Sequence, residues 1–163
     1  TTPRRAAPPL VGSRPRVLLL GETASAAPAA AGELPYEGRS MWPVLRAVLD
    51  LPVDSPLHVT QAAVMSAGVA IWDVLANVHE RGRRAAEPAR PNDVPALLQA
   101  HPDIDTIAFI GGKARATFAH HQPTLMGAVA QGKLSLHVLP SSSRANTQLI
   151  AAKAAAWHRV LLQ

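Results

Sequence analysis

Four charged side chains stand at or just behind the ends of short apolar runs: Glu22, Asp73, Lys113 and Arg144. Gly21-Glu22-Thr23 follows the run Arg16-Val-Leu-Leu-Leu-Gly21. A glycine there lets backbone approach a ligand closely, and Glu22 is the one carboxylate at this tip, suited as a general base to orient a water. A solvated loop glutamate fits the same residues. Gly111-Gly112-Lys113 brings backbone N–H groups and an ammonium together at a helix start, as a phosphate cradle does. It is not a Walker motif: the earlier glycine is missing, and Ala114 stands where a magnesium-binding hydroxyl belongs. A glycine turn that caps a helix is the simpler reading. Ser141-Ser142-Ser143 has no nucleophile elbow around it, so these serines are expected to bond backbone or an incoming phosphate. His120 and His121, adjacent on a helix, should point apart, and His137 reads as a packed or rim histidine inside a strand. We assign no metal and no cofactor.

Composition narrows the field. The 163 residues suit one domain with a proper core. Without cysteine there is no disulfide, thiolate nucleophile, iron–sulfur cluster or Cys-ligated zinc. The apolar stretches are too short for a membrane span, and no secretory signal opens the chain, so a cytoplasmic protein is expected. The formal charge is +5, and all cations but Lys113, Lys133 and Lys153 are arginine. That bias suits phosphate recognition, although a GC-rich genome produces it too.

The elements that must carry these residues alternate. Residues 1–15 read as an extended Pro/Arg-rich arm, and residues 16–163 as a single domain. Strands are expected at 16–21, 68–72, 106–110 and 135–139. Residues 22–39 form a long loop, either functional or an Ala-rich insertion. Ser40 should cap a helix through Leu49, with Trp42, Leu45 and Leu49 on one face. Residues 60–67 suggest a second helix, and residues 79–91 a charged surface excursion. Asn92 or Asp93 should cap a helix ending near Ala100, and residues 113–121 return as another. Residues 144–162 read as one long helix with Leu149, Ala152, Ala156 and Val160 repeating at near-helical intervals, on one face. The expected class is α/β: a three-layer α/β/α sandwich around a short four-stranded parallel sheet. Every strand would then end at one rim, where open α/β sheets bind ligands.

Taken in order, Pro8-Pro9-Leu-Val-Gly, Arg16–Gly21, Met41-Trp42-Pro43, Ile71-Trp72-Asp73-Val74-Leu75, Pro91-Asn92-Asp93, Phe109-Ile110-Gly111-Gly112-Lys113-Ala114 and Leu139-Pro-Ser-Ser-Ser-Arg-Ala-Asn146 resemble the uracil-DNA glycosylase superfamily. Within it they most resemble the hypoxanthine-DNA glycosylase-like branch. The resemblance runs from about residue 8 to the C-terminus. It implies a monomeric, cofactor-independent enzyme of base excision repair acting on DNA that carries uracil or hypoxanthine. The damaged base would be flipped into a pocket of Gly21, Thr23, Arg39, Met41, Trp42 and Asp73, with Asp73 reading its edge. Gly112, Lys113, Ser141, Ser142, Ser143 and Arg144 would hold the DNA.

Two departures bear on mechanism. Where relatives carry a catalytic Asn three residues before the Trp, this chain has Arg39. A fixed cation there opposes a cationic sugar, so Glu22 becomes the candidate catalytic group. The base-stacking Phe of relatives is Met41. Two other functions remain in view: a relative that binds DNA or a damaged base without excising it, and a nucleotide- or phosphate-binding domain using Gly21 and Gly111–Lys113.

Overall fold

Every residue of Val17–Gly21 (β1) is buried, as its unbroken run of apolar side chains demands of a strand covered on both faces. In a computed structural model of the chain, residues 6–23, 32–76 and 88–162 are described. Three further strands, Val69–Asp73 (β2), Thr106–Ile110 (β3) and Ser135–Leu139 (β4), complete a sheet of order β2-β1-β3-β4 with parallel neighbours throughout. The helices are Met41–Val48 (α1), Leu57–Ser66 (α2), Val94–Ala100 (α3), Gly112–His121 (α4), Pro123–Ala130 (α5) and Ile150–Leu161 (α6).

Strand periodicity sorts them into two layers. Val17 and Leu19 of β1 join Val69 and Ile71 of β2 beneath α1, α2 and α6, where Trp42, Leu45, Val64 and Trp157 are buried. Leu18 and Leu20 face the other way, joining Ala70, Ile107 and Phe109 against α3 and α4 through Val94, Leu97 and Phe118. The architecture is therefore a three-layer α/β/α sandwich around a four-stranded parallel sheet. Leu18, Leu19 and Leu20 are each 0% exposed, and burial of such a side chain stabilises by about 1.5–3 kcal/mol. No helix among the described residues is long and apolar enough to cross a membrane.

Several elements differ from the sequence expectation. Ser40 precedes α1 but makes no side-chain cap; its hydroxyl bonds elsewhere. The second helix starts at Leu57, because Pro56 supplies the entry that residue 60 was expected to mark. Asp93, of the two candidates, caps α3 by accepting from the Ala96 N–H at 3.1 Å. Helix α5 was not anticipated. Its Pro123 and Gly127 look like breakers, yet Pro123 occupies the first turn, where a missing N–H costs nothing. The last helix begins at Ile150, not at 144, so residues 144–149 belong to the connection from β4. Its buried face is Lys153, Ala154, Trp157 and Leu161; Leu149 is 77% exposed. His137 is exposed on edge strand β4. The His120 and His121 rings meet edge-on at 4.9 Å rather than diverging.

The described part of the N-terminal arm is docked. Leu10 exchanges backbone hydrogen bonds with Ile71, both at 2.9 Å, which covers the free edge of β2. Residues 24–31 of the long loop and 77–87 of the charged excursion lie outside the described residues.

Candidate functional site

The chain leaves β1 toward the α1 layer and leaves β3 toward the α4 layer. Strand order reverses between them, and such a reversal opens a crevice at the carboxyl ends of the strands. Gly21 and Asp73 end β1 and β2 on this rim, and Gly111 and Pro140 follow the ends of β3 and β4 there.

Gly21 and Asp73 lie opposite each other in register. The Asp73 carboxylate, 2% exposed, is gripped by the Arg39 guanidinium: Nη2 donates to Oδ1 at 3.0 Å and Nη1 to Oδ2 at 3.3 Å. Forked pairing of this kind fixes both position and plane. The Asn92 amide donates to the Asp73 backbone carbonyl at 2.8 Å and thereby supports the strand end. A Cβ added to Gly21 would lie 2.5 Å from both Arg39 Nη2 and Asp73 Oδ1. The space that glycine opens here is therefore filled by the protein's own ion pair. Gly21→Ala should lower stability by about 1–3 kcal/mol, the usual cost of overpacking. Urea unfolding would read this as an earlier midpoint; an unchanged midpoint would contradict the packing.

Tyr36 holds the other side of Arg39. The guanidinium carbon lies 5.9 Å from the centre of the Tyr36 ring, a cation–π distance. Tyr36 adopts φ 60°, donates its hydroxyl to the Pro8 carbonyl at 2.8 Å, and accepts at its own carbonyl from Trp42 Nε1 at 2.8 Å. Arm, loop and α1 meet at this one residue. Burial pushes its phenol well above the ordinary 10.0, the Asp73 charge adds to the rise, and Arg39 partly offsets it. The folded state therefore holds this proton more tightly than the unfolded chain does. That contribution is complete below about pH 10 and is lost as pH rises beyond it. Tyr36→Phe should cost about 1 kcal/mol at neutral pH and flatten the alkaline decline in stability. Tyr36 is the one tyrosine in the chain, so the rise of tyrosinate absorbance with pH reports it alone.

Glu22 turns the other way. Its Oε2 accepts from the Thr117 hydroxyl of α4 at 3.3 Å. It thus spans the crevice between the ends of β1 and β3, apart from the Arg39–Asp73 pair. Thr23 is half-buried beside it. Gly112 and Lys113 are exposed in the first turn of α4. Gly111, at φ 89°, turns the chain into that helix with Ser141 Cβ 3.6 Å from where its own Cβ would be. Loops from β3 and β4 therefore touch.

A broad cavity of about 1010 Å³ opens on the α1 side. Arg39, Ser40, Trp42, Ser142, Ser143, Arg144 and Lys153 contribute to its wall. Ser40 Oγ and Ser142 Oγ are 2.9 Å apart, bridging the start of α1 to the loop after β4. Gly21, Glu22, Thr23, Asp73, Gly112, Lys113 and Ser141 are not part of that wall. Met41 is not either: it is 1% exposed, within the core under α1.

Sequence reasoning missed Tyr36, Thr117 and Lys153. A lone tyrosine in a low-complexity loop offers no periodic signal. Thr117 is visible only once α4 packs beside β1, and Lys153 was hidden by assigning α6 the wrong face.

Arg39, Asp73 and Gly21 are thus in contact at a rim whose strand order can be compared with solved structures. No protein-family model and no curated protein sequence matches the chain. A solved structure does: the solution NMR structure of a protein from Methanosarcina acetivorans described as a "putative Uracil DNA glycosylase". The TM-score is 0.70 at 21% sequence identity, over 98% of this chain and 97% of that one. The two chains share one fold.

Proposed function

We propose that this chain is a monofunctional DNA glycosylase of the uracil-DNA glycosylase superfamily, within or near its hypoxanthine-DNA glycosylase-like branch. It acts as a cytoplasmic monomer on DNA and hydrolyses the N-glycosidic bond of a flipped uracil or hypoxanthine. The fold shared with the Methanosarcina protein supports the superfamily. The Arg39–Asp73 pair is the observation that carries the catalytic reading.

Cleavage of the glycosidic bond builds positive charge on the sugar, and a bare cation at position 39 would oppose it. The paired carboxylate cancels that charge locally, so the pair is neutral overall. Glu22 then supplies the anion at the tip of β1, oriented by Thr117, to stabilise the sugar and align the attacking water. The base is assigned to the rim of Gly21, Thr23, Arg39, Trp42 and Asp73, where the Arg39 guanidinium now occupies the space above Gly21; Met41, 1% exposed in the core, has no part in it. Ser141, Ser142, Ser143 and Arg144 hold one stretch of backbone, and Gly112 and Lys113 another.

A second reading, binding without excision, is favoured by a different observation. The guanidinium of Arg39 fills the space above Gly21 that a base edge would approach. One experiment separates the two. Duplexes carrying uracil, hypoxanthine or no lesion are incubated with micromolar protein, then cleaved with alkali and assayed for binding in parallel. Strand cleavage at a lesion supports excision. Salt-dependent binding with every strand intact supports the second reading, and the absence of both contradicts each.

A further inference from the structure

The segment that leaves β4, Pro140–Asn146, is held from below by α6. Trp157 Nε1 donates to the Pro140 carbonyl at 3.0 Å. One turn earlier, Lys153 Nζ donates to the carbonyls of Asn146 at 2.9 Å and Ser143 at 3.3 Å. Residues four apart share a helix face, so both donors rise from α6 toward the same loop. The loop also folds on itself: Asn146 donates its backbone N–H to the Ser143 carbonyl and its side-chain amide to the Ser141 carbonyl, both at 3.0 Å.

Lys153 is 4% exposed. A buried ammonium is costly unless hydrogen-bonded, and the partners this one uses are carbonyls of the loop. Lysine and loop therefore depend on each other: opening the loop strips the cation of its acceptors, and removing the cation takes a donor from the Asn146 carbonyl and leaves that of Ser143 with the Asn146 N–H. The consequence falls on the cavity, because Ser142 and Arg144 stand on its wall only while the loop keeps this shape.

We infer that Lys153 is a positioning residue: it clamps Pro140–Asn146 so that Ser142 and Arg144 meet the phosphates of a nucleic-acid strand already ordered. The clamp stands on contacts within the protein; its effect on binding rests on the function proposed above. Holding a loop in its bound shape improves affinity by lowering the ordering cost at the moment of binding. Lys153 itself stays beneath the loop and meets no phosphate.

The test uses the full chain and an unmodified mixed-sequence duplex. In Lys153→Met, backbone amides of Ser143, Ala145 and Asn146 should exchange with solvent at least tenfold faster, with β1 amides unchanged. Duplex affinity should fall about tenfold, while the slope of log affinity against log salt stays as in the wild type. Arg144→Ala should instead flatten that slope by about one phosphate contact. If Lys153→Met does not fold, the wild type still decides the clamp. The chain has three lysines, and the Lys153 ammonium alone should give slowly exchanging N–H signals in ¹⁵N NMR.

Unchanged loop exchange in the variant, or no protected ammonium in the wild type, overturns the clamp. A salt slope flattened by Lys153→Met overturns the positioning role in favour of direct phosphate contact. A wild type that fails to bind any duplex counts against the proposed function instead, and the exchange measurements then judge the clamp alone.

Discussion

Arg39→Met should destabilise the folded chain by about 3–5 kcal/mol, the cost of removing one member of a buried ion pair. The asymmetry of burial makes this variant the severe one. The side chain of Arg39 is 28% exposed and that of Asp73 only 2%. Loss of the arginine leaves a carboxylate in the protein interior, whereas loss of the aspartate leaves a guanidinium that can turn toward water. Asp73→Asn should therefore cost less, nearer the ~1 kcal/mol of an ordinary hydrogen bond. Chemical denaturation of both variants, with unchanged m-values, would measure the difference. Equal costs would contradict the view that the pair is anchored from the aspartate side.

Glu22→Gln should lower the rate of base release by about 10²–10⁴-fold, the range for loss of a positioned general base. That range corresponds to roughly 2.7–5.5 kcal/mol of transition-state stabilisation. The amide keeps the size of the carboxylate and can still accept from Thr117, so the fold should be untouched. What disappears is the anion facing a developing positive charge. Affinity for lesion-bearing duplex should stay within a few-fold, because nothing assigns Glu22 a phosphate contact. An equal fall in rate and affinity would mean that Glu22 orders the rim rather than serving the chemistry. Single-turnover rates on a uracil duplex, with affinity measured in parallel, separate the two.

Much of the architecture was legible before any coordinates. The apolar runs ending at Gly21 and Ile110 are continuous rather than alternating, as buried parallel strands require, whereas Ser135–Leu139 mixes polar and apolar residues, as an exposed edge strand does. The strand–helix alternation then led directly to the three layers. Helix boundaries were harder, for local reasons. The Ala-rich end of the chain carries weak amphipathic contrast, so the true face of α6 was one position away from the one inferred from Ala152 and Ala156. The buried cation on that face, Lys153, is a residue type that periodicity assigns to solvent.

The candidate site was half legible. Gly21 and Asp73 were placed at one rim by the strands that end with them, and register makes them neighbours. Their link to Arg39 depends on how residues 32–40 fold back over β1 and β2, with Tyr36 at φ 60°, and no short-range pattern encodes that path. Glu22 was expected to share a crevice with Asp73. Instead the one-residue step from Gly21 carries it toward the α4 layer and Thr117. Strand parity alone could have signalled this divergence, since successive residues leave a strand on opposite faces.

The most direct measurement of the central claim is release of free base under single-turnover conditions. The 163-residue chain, in excess over a duplex bearing one uracil or one hypoxanthine, is quenched at intervals and the liberated base quantified by chromatography. The account predicts up to one equivalent of free base per duplex, matched by alkali-labile sites, and a drop of two orders of magnitude or more in Glu22→Gln. A duplex that is bound yet keeps every base through hours of incubation would contradict it.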